Sequence, residues 1–219
     1  MKSGTKRLQV LIVDDHFVVR QGIKGILTEH YPEAEFGDAS NAQEALEWTW
    51  KKSWDLVLLD ISMPGRGGLD VLKDIRQGFP KLPVIVLSMH PEEQFAIRVL
   101  KLGATSYIRK DSVGHELVKG VEAALRGAKY ITPLIAQQLA TNLERNGDEP
   151  DHLKLSDREY QVLCLLACGK TVKEVGCELS LSVKTISTYR TRILEKMNLR
   201  NNSQLMRYAV QHHLIESEA

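Results

Sequence analysis

The chain has 219 residues, of which 43% are hydrophobic and 26% charged, and its formal net charge is +1. This composition is that of an ordinary globular protein, and it excludes a globally basic chain, so that any basic surface has to be local. No apolar run reaches the length of a membrane span, and the first one is too short for a signal peptide, so we expect a cytoplasmic protein with no membrane partner.

The first part of the chain alternates short apolar runs with amphipathic stretches. The runs predict five strands, near residues 8–13, 33–38, 54–59, 83–88 and 105–109. The stretches predict five helices, near residues 16–29, 41–51, 68–78, 91–102 and 113–126. Right-handed crossovers then give a parallel sheet between two layers of helices. The second strand is the most polar, and we predict that it lies at an edge of the sheet.

Polar residues follow four of these strands at their carboxyl ends: Asp14, Asp15, Asp60, Ser88 and Lys110. Because the carboxyl ends of parallel strands share one edge, where ligands bind, we expect these side chains to converge. Clustered carboxylates repel one another unless a cation lies among them, and oxygen ligands suit Mg²⁺. A carboxylate beside a metal can attack phosphorus, and the added charge would draw Ser88 and Lys110 inward. The edge is therefore predicted to be a phosphorylation switch.

Residues 129–151 are predicted to be a linker that contains a short helix from Pro133 to about Leu143 and then a polar stretch with Gly and Pro. Four helices follow. Capping boxes at Ser156 and Thr171 begin the first two, Ser182 caps a third that runs to about Met197, and the fourth begins at Asn202 or Ser203 and runs to about His213.

The third of these helices has one apolar and one polar face at about 100° per residue. A short helix, a tight turn and such a helix predict a helix-turn-helix whose second helix enters the major groove. Basic side chains there would bind phosphates, and short hydroxyl side chains would let base edges approach. The apolar face is predicted to consist of Val183, Ile186, Tyr189, Ile193, Leu194 and Met197. The candidate DNA contacts are Lys184, Thr185, Ser187, Thr188, Thr191, Arg192, Lys196 and Arg200.

Three further expectations concern the helical part. Arg190 lies on the apolar side of the third helix, and we predict that it pairs with Glu159 or Glu174. The last helix is predicted to supply a dimer contact through Leu205, Tyr208 and Ala209, with the domain core as an equal alternative for Leu205. Of the three cysteines, Cys164 and Cys168 are interpreted as small buried hydrophobes rather than metal ligands, and the odd number argues against a disulfide framework.

The first part resembles the receiver domains of bacterial response regulators. The resemblance rests on Asp14-Asp15, on Asp60 with Met63-Pro64 and Gly68, and on Ser88, Tyr107 and Lys110. It implies that Asp60 is the phosphoacceptor, that Ser88 and Lys110 assist it, and that Ser88 and Tyr107 act as switch residues. It also implies that Mg²⁺ or Mn²⁺ binds directly to Asp15, Asp60 and the backbone carbonyl of Ser62, and to Asp14 through water.

Two positions depart from the common receiver pattern. Met89 follows the hydroxyl, where many receivers carry a small residue, and Asp111 follows the lysine, where many carry proline. The larger Met89 is expected to narrow access to Asp60. His16 and His90 could flank the site, although we favour an ordinary surface position for both.

The helical part resembles the LuxR-type helix-turn-helix in the segments 155–159, 169–175, 182–186, 192–197 and 199–201. Both parts together resemble the NarL/FixJ class of response regulators. The resemblance implies a flavodoxin-like, doubly wound, five-stranded α/β receiver domain (residues 1–128), the linker (129–151) and an all-α four-helix DNA-binding domain (152–219). Its implied partners are a sensor histidine kinase, double-stranded DNA, a second copy when phosphorylated or DNA-bound, and RNA polymerase.

Two other functions remain open. A phosphatase with an aspartyl nucleophile would need a second carboxylate two residues after Asp60, and that position is Ser62. A DNA-binding regulator with a vestigial receiver would not need phosphorylation, but the set of acidic, hydroxyl and lysine residues is intact. We therefore predict a phosphorylation-controlled transcription regulator whose only catalysis is its own phosphotransfer and dephosphorylation.

Overall fold

The computed structural model describes residues 7–63, 66–89, 92–144, 150–212 and 214–215. Pro64, His90, most of the polar linker and the predicted end of the last helix at His213 lie outside the described residues. The described chain divides into two compact units. The first holds the residues up to Glu92 together with Arg98–Thr132, and the second holds Glu93–Ile97 together with the residues from Pro133 onward.

A five-stranded parallel sheet forms the centre of the first unit, as predicted. Its strands are β1 (Gln9–Val13), β2 (Glu35–Ala39), β3 (Leu56–Asp60), β4 (Val84–Ser88) and β5 (Ser106–Arg109). They lie in the order β2-β1-β3-β4-β5, so the polar strand β2 is at an edge. In this order the chain adds β2 on one side of β1 and then adds β3, β4 and β5 on the other side. The switch point therefore lies between β1 and β3, which is where ligands bind in doubly wound sheets.

Helices connect the strands, within two residues of the predicted boundaries. They are α1 (Phe17–His30), α2 (Ala42–Lys51), α3 (Gly68–Gly78), α4 (Glu92–Lys101) and α5 (Val113–Leu125). Every residue of β3 and β4 is buried, because these central strands are covered on both faces. The core between the sheet and α1 and α5 includes Ile12, Leu58, Ile85, Ile108 and Leu117.

The second unit is helical. It contains α6 (Pro133–Glu144), a 3-10 turn (Asp151–Lys154), α7 (Asp157–Ala167), α8 (Val172–Glu178), α9 (Val183–Lys196) and α10 (Asn202–Gln211). Both capping boxes are present, and Ser182 accepts a hydrogen bond from the backbone N–H of Thr185. The 3-10 turn was not predicted, because it is a single short turn without a period of its own. No helix among the described residues is long and apolar enough to span a membrane.

The structure corrects three expectations for these helices. Val183 is 52% exposed rather than part of the apolar face of α9, since it is the first residue of the helix. Cys168 is exposed because it caps the end of α7, whereas Cys164 is buried as predicted. Leu205 and Ala209 of α10 are fully buried, so the expected dimer contact is wrong for Ala209, and for Leu205 the alternative of the domain core is confirmed.

Gly68 is required by a close backbone approach. An added Cβ would lie 2.1 Å from the carbonyl oxygen of Asp60 and 2.6 Å from the Cα of Ile61. Gly68→Ala is therefore expected to lower the free energy of unfolding by about 1–3 kcal/mol, as overpacking does. Urea unfolding followed by circular dichroism measures it. Gly22→Ala is the control: Gly22 lies in α1 with no atom within 4 Å of an added Cβ, so stability should stay equal or rise. Equal stability of both variants would contradict the expectation.

Candidate functional site

The two central aspartates are brought together by the register of the sheet. Val13 of β1 pairs with Leu59 of β3, so that Asp14 and Asp60 come next to each other at the carboxyl ends of neighbouring strands. Both residues are completely buried. The local backbone of Asp60 is also fixed, because the N–H of Ser62 donates to Asp60 Oδ1 at 2.8 Å. Two carboxyl groups are thus held close together in a low-dielectric environment.

Lys110 provides the positive charge between these two aspartates. Its Nζ lies 2.7 Å from Asp14 Oδ2 and 2.7 Å from Asp60 Oδ2, and its side chain is only 8% exposed. The backbone N–H of Lys110 donates to the carbonyl of Ser88 at 2.8 Å, which ties the end of β5 to the end of β4. The predicted convergence of residues that are far apart in the chain is therefore confirmed for Asp14, Asp60, Ser88 and Lys110.

The charges of the site do not balance. Burial raises the pKa of the Asp60 carboxyl, and the adjacent Asp14 raises it further, against the opposing effect of Lys110. Burial alone would lower the pKa of the Lys110 ammonium, but the charges and hydrogen bonds of Asp60 and Asp14 outweigh burial and raise it. One cation is shared between two buried anions, so the site favours an additional positive charge.

Asp15 and His16 complete an acidic cluster around this centre. One ligand atom each from Asp14, Asp15, His16 and Asp60 lies within 4.8 Å of the others. His16 Nδ1 is 3.2 Å from Asp14 Oδ1 and 3.0 Å from Asp15 Oδ1, although the ring is 66% exposed. His16 therefore flanks the site while remaining at the surface, and both alternatives considered for it hold at once.

The remaining receiver residues differ in exposure. Ser88 and Tyr107 are completely buried, whereas Met89 is 65% exposed. Sequence reasoning missed Arg20, which donates to the backbone carbonyl of Asp14 at 2.6 Å and lies 3.5 Å from Asp38. Arg20 fixes the backbone at the start of the acidic pair. Its contacts join α1 to the ends of β1 and β2, and no local pattern in the sequence indicates them.

In the second unit, α8 and α9 form the predicted helix-turn-helix. Ser180 has a φ of 52° in the turn between the helices. Gly176 permits the close approach of the turn to α8, because an added Cβ would lie 2.8 Å from the carbonyl oxygen of Leu181. Ile186 and Ile193 of α9 are completely buried and fix this helix against the unit.

One face of α9 is free of such packing. Its exposed residues are Lys184, Ser187, Thr188, Thr191, Arg192, Glu195 and Lys196. Arg200, just beyond the helix, is exposed as well, whereas Thr185 is half-buried and its Oγ1 lies 2.8 Å from Ser182 Oγ. The structure thus brings most candidate DNA contacts onto one accessible surface, and it gives Thr185 a capping contact instead of full exposure.

Two basic residues of α9 have partners other than those expected. Arg190 donates through Nε to Asn202 Oδ1 at 2.6 Å, so the predicted pairing with Glu159 or Glu174 is wrong. Glu159 instead binds Lys196 at 2.7 Å, and Glu174 binds the capping residue Thr171. The polar residue opposite Arg190 comes from α10, which the helical wheel of α9 alone does not show. The ion pair of Lys196 connects α9 to the start of α7.

Both units match known protein families. Residues 10–122 match the response regulator receiver domain, and residues 153–209 match the bacterial regulatory proteins of the luxR family. The chain is 34% identical over 212 residues to the response regulator UvrY of Escherichia coli K12, which covers 96% of this chain and 97% of that protein. The chain belongs to the two-component response regulators of the NarL/FixJ class.

Other response regulators show the same likeness. The chain is 33% identical to GacA of Pseudomonas aeruginosa, over 96% of this chain and 99% of that protein. Among solved structures it is similar to RcsB from Salmonella enterica serovar Typhimurium bound to a promoter in the presence of the phosphomimetic BeF₃⁻. That likeness has a TM-score of 0.61 at 27% identity and covers 94% of this chain and 99% of the other. This response regulator therefore combines a receiver with a DNA-binding LuxR-type domain.

Lys110→Met is expected to destabilise the receiver. The substitution leaves two buried carboxyl groups without their shared cation, and loss of one partner of a buried ion pair costs about 3–5 kcal/mol. Urea unfolding at pH 7 in EDTA measures the change. The double variant Lys110→Met/Asp60→Asn removes one of the two anions and is expected to recover part of the loss. A single variant as stable as the wild type would show that the bridge does not support the fold.

Glu159→Gln is expected to give a pH-dependent loss of stability. Burial works to raise the pKa of Glu159, but hydrogen bonds from Lys196 and Ser156 outweigh it and hold the pKa below the ordinary value of a glutamate. The stabilisation is therefore complete above that ordinary pKa and is lost as the pH falls through the lower folded-state pKa.

Thermal unfolding of the full chain at pH 7 and near pH 4 measures this effect. The variant should lose about 1–2 kcal/mol at pH 7, and the difference from the wild type should shrink in acid. Glu178→Gln, which removes an exposed pair with Lys170, is the control and should change stability by less than about 1 kcal/mol. A difference from the wild type that is independent of pH would contradict the role of the Glu159 charge.

Proposed function

We propose that Asp60 is the phosphoacceptor of this response regulator and that a sensor histidine kinase is the donor. The observation that carries the proposal is the position of Lys110, whose Nζ lies within 2.7 Å of both Asp14 and Asp60. A lysine at this distance can neutralise a phosphoryl oxygen on Asp60 without a long movement. Ser88, buried at the end of the adjacent strand β4, is proposed to donate a hydrogen bond to a second phosphoryl oxygen.

The residues present fit Mg²⁺ or Mn²⁺. Three carboxylates and the His16 ring lie within 4.8 Å of one another, and such an oxygen-rich donor set is what these cations prefer. Asp15, Asp60 and the backbone carbonyl of Ser62 would hold the ion directly, and Asp14 would act through water. The bound cation would supply positive charge to the carboxylate and to the phosphoryl oxygens during transfer.

Phosphorylation is proposed to control the helix-turn-helix through the receiver. A phosphoryl group adds about −1.5 to −2 charge at a site that already carries an excess of negative charge, so Lys110 and Ser88 must reorganise around it. Their backbones belong to the ends of β4 and β5, and the buried Tyr107 lies on β5. The proposed switch thus runs from Asp60 through Ser88 and Tyr107 to the receiver surface.

The DNA-binding surface is proposed to be the exposed face of α9 with Arg200. Lys184, Arg192, Lys196 and Arg200 would bind phosphates, and the hydroxyl residues would face the bases. The receiver would comprise residues 1–128, the linker 129–151 and the DNA-binding domain 152–219. We place the regulator in the cytoplasm, where a DNA-binding switch meets its operator and RNA polymerase.

A second copy of the chain is the proposed partner on DNA. Helix α10 exposes Met206 (42%) and Val210 (41%), which are one turn apart on the same face. These two residues replace Leu205 and Ala209 as the proposed apolar dimer contact. Because a symmetric dimer presents two recognition helices, the operator is expected to be two-fold symmetric.

The nucleophile test is intact mass after incubation with a small acyl phosphate and Mg²⁺. The wild type is expected to gain one phosphoryl group, and Asp60→Asn none, because an amide is not a nucleophile at neutral pH. Asp74→Asn is the matched control, since Asp74 lies on α3 and pairs with Arg66 outside the acidic cluster; it should react as the wild type does. EDTA should abolish the gain of a phosphoryl group in the wild type and in Asp74→Asn.

Two results would refute this assignment. A phosphoryl group on Asp60→Asn would place the nucleophile elsewhere. If the wild type gains no phosphoryl group and binds no BeF₃⁻, the receiver is vestigial. Equal DNA affinity of wild type and Asp60→Asn would support the same alternative. Sustained turnover of small phosphate esters would instead favour a phosphatase, which the neutral Ser62 in the acid/base position disfavours.

The DNA surface is tested by the salt dependence of binding to a mixed-sequence duplex. Lys184→Ala and Arg192→Ala should each weaken binding and reduce the slope of log affinity against log salt by about 1, because each removes one phosphate contact. Lys170→Ala is the control, since Lys170 pairs with Glu178 and lies outside α9. A slope that changes as much in the control as in the α9 variants would contradict the proposed surface.

A further inference from the structure

The exposed face of α9 has an uneven distribution of hydrogen-bond donors. Lys184 and Arg192 lie on either side of its middle, and both are exposed cations with several N–H donors. Between them lie three exposed hydroxyl side chains, those of Ser187, Thr188 and Thr191. A hydroxyl group has a single hydrogen, so the direction of that hydrogen decides what the middle of this face can recognise.

All three hydroxyl hydrogens are used inside the helix. Ser187 Oγ donates to the carbonyl of Val183 at 2.9 Å, and Thr188 Oγ1 donates to the carbonyl of Lys184 at 3.0 Å. Thr191 Oγ1 donates to the carbonyl of Ser187 at 3.1 Å. Bonds of this kind to the carbonyl four residues earlier are a regular feature of Ser and Thr in helices. What remains for a partner is the oxygen lone pairs and, on the two threonines, the methyl groups.

Base edges in the major groove differ in what they offer to such a surface. Adenine and cytosine both carry an amino donor that an acceptor oxygen can bind, but only an A·T pair carries the methyl group of thymine, which matches an apolar methyl. Guanine presents two acceptors, N7 and O6, towards the same position. To bind guanine, a hydroxyl would have to leave its carbonyl in α9, whereas it can accept from adenine or cytosine without any change. The methyl groups of the two threonines therefore decide between A·T and G·C.

We propose that the middle of α9 selects A·T pairs through the methyl groups of Thr188 and Thr191, with Ser187 adding an acceptor oxygen, while Lys184 and Arg192 on either side bind phosphates. The operator half-site is thus expected to have an A·T centre. This inference rests on the proposed DNA-binding role of α9, and it adds the class of sequence that the helix recognises.

The first experiment is selection from a randomised duplex by the full chain activated with BeF₃⁻ and Mg²⁺. Enrichment of half-sites with an A·T centre is expected. Enrichment of half-sites with a G·C centre would overturn the inference while leaving the DNA-binding function standing. No enrichment and no salt-dependent binding to any duplex would remove the proposed function of α9, and the inference with it.

The second experiment separates the methyl group from the hydroxyl group on the selected duplex. Thr188→Ser keeps the hydroxyl and removes the methyl, and Thr188→Val does the reverse. Replacing central thymines by uracils removes the matching methyl groups of the DNA. Wild type and Thr188→Val are each expected to lose about fourfold in affinity at the sensitive thymine, as the exposure of one buried methyl group costs. Thr188→Ser should not respond to that uracil. The same replacements of central thymines by uracils, tested with Thr191→Ser and Thr191→Val, assign the second methyl.

A gain-of-contact variant gives a further readout. Thr188→Arg introduces a bidentate donor in the middle of the face, and it should shift the central preference from A·T towards G·C in the same selection. Thermal unfolding of each variant confirms folding, which is expected because Thr188 is exposed. If uracil substitution costs nothing with the wild type and Thr188→Arg leaves the selected centre unchanged, the proposed reading of the central pairs is wrong.

Discussion

The receiver depends on one ammonium group shared between two buried carboxylates. Asp14 and Asp60 are adjacent because β1 and β3 are parallel neighbours at the point where the sheet reverses its winding. Lys110 reaches both from the end of β5 and is itself tied to β4 through the carbonyl of Ser88. Three strands are thus joined at their carboxyl ends by charge as well as by the backbone ladder.

This arrangement stabilises the fold but leaves an excess of negative charge at the site. Burial and the second carboxylate raise the pKa of Asp60, which means that they destabilise its ionised form. A bound cation would offset this destabilisation. Because the single lysine cannot neutralise two anions, adding a cation or a phosphoryl group changes the balance of charge more than it would at an exposed site. The supporting contacts of Arg20 and Gly68 fix the backbone on either side, so the charge change acts on defined elements.

The helical unit is stabilised by helix caps and apolar packing rather than by a buried charge cluster. Side-chain caps at Ser156, Thr171 and Ser182 begin three helices, and the positive φ values of Ser180 and Asn198 end two of them. Buried isoleucines then hold α9 so that its polar face stays exposed. Hydroxyl groups on that face donate their hydrogens to carbonyl groups within the helix, so their oxygen lone pairs and the threonine methyl groups remain on the exposed surface.

The sequence by itself determined the elements, because apolar periods and capping residues are local signals. It also determined that Asp14, Asp60, Ser88 and Lys110 meet, since parallel strands place their carboxyl ends at one edge. Only the tertiary structure decided the partners of long side chains. Arg190 binds Asn202 and Lys196 binds Glu159 because neighbouring helices pack at distances and angles that no single helix encodes. The contact of Arg20 with Asp14 has the same origin. In α10, Leu205 and Ala209 are buried while Met206 and Val210 are exposed, because a helical period identifies a face and packing decides which of its residues are covered.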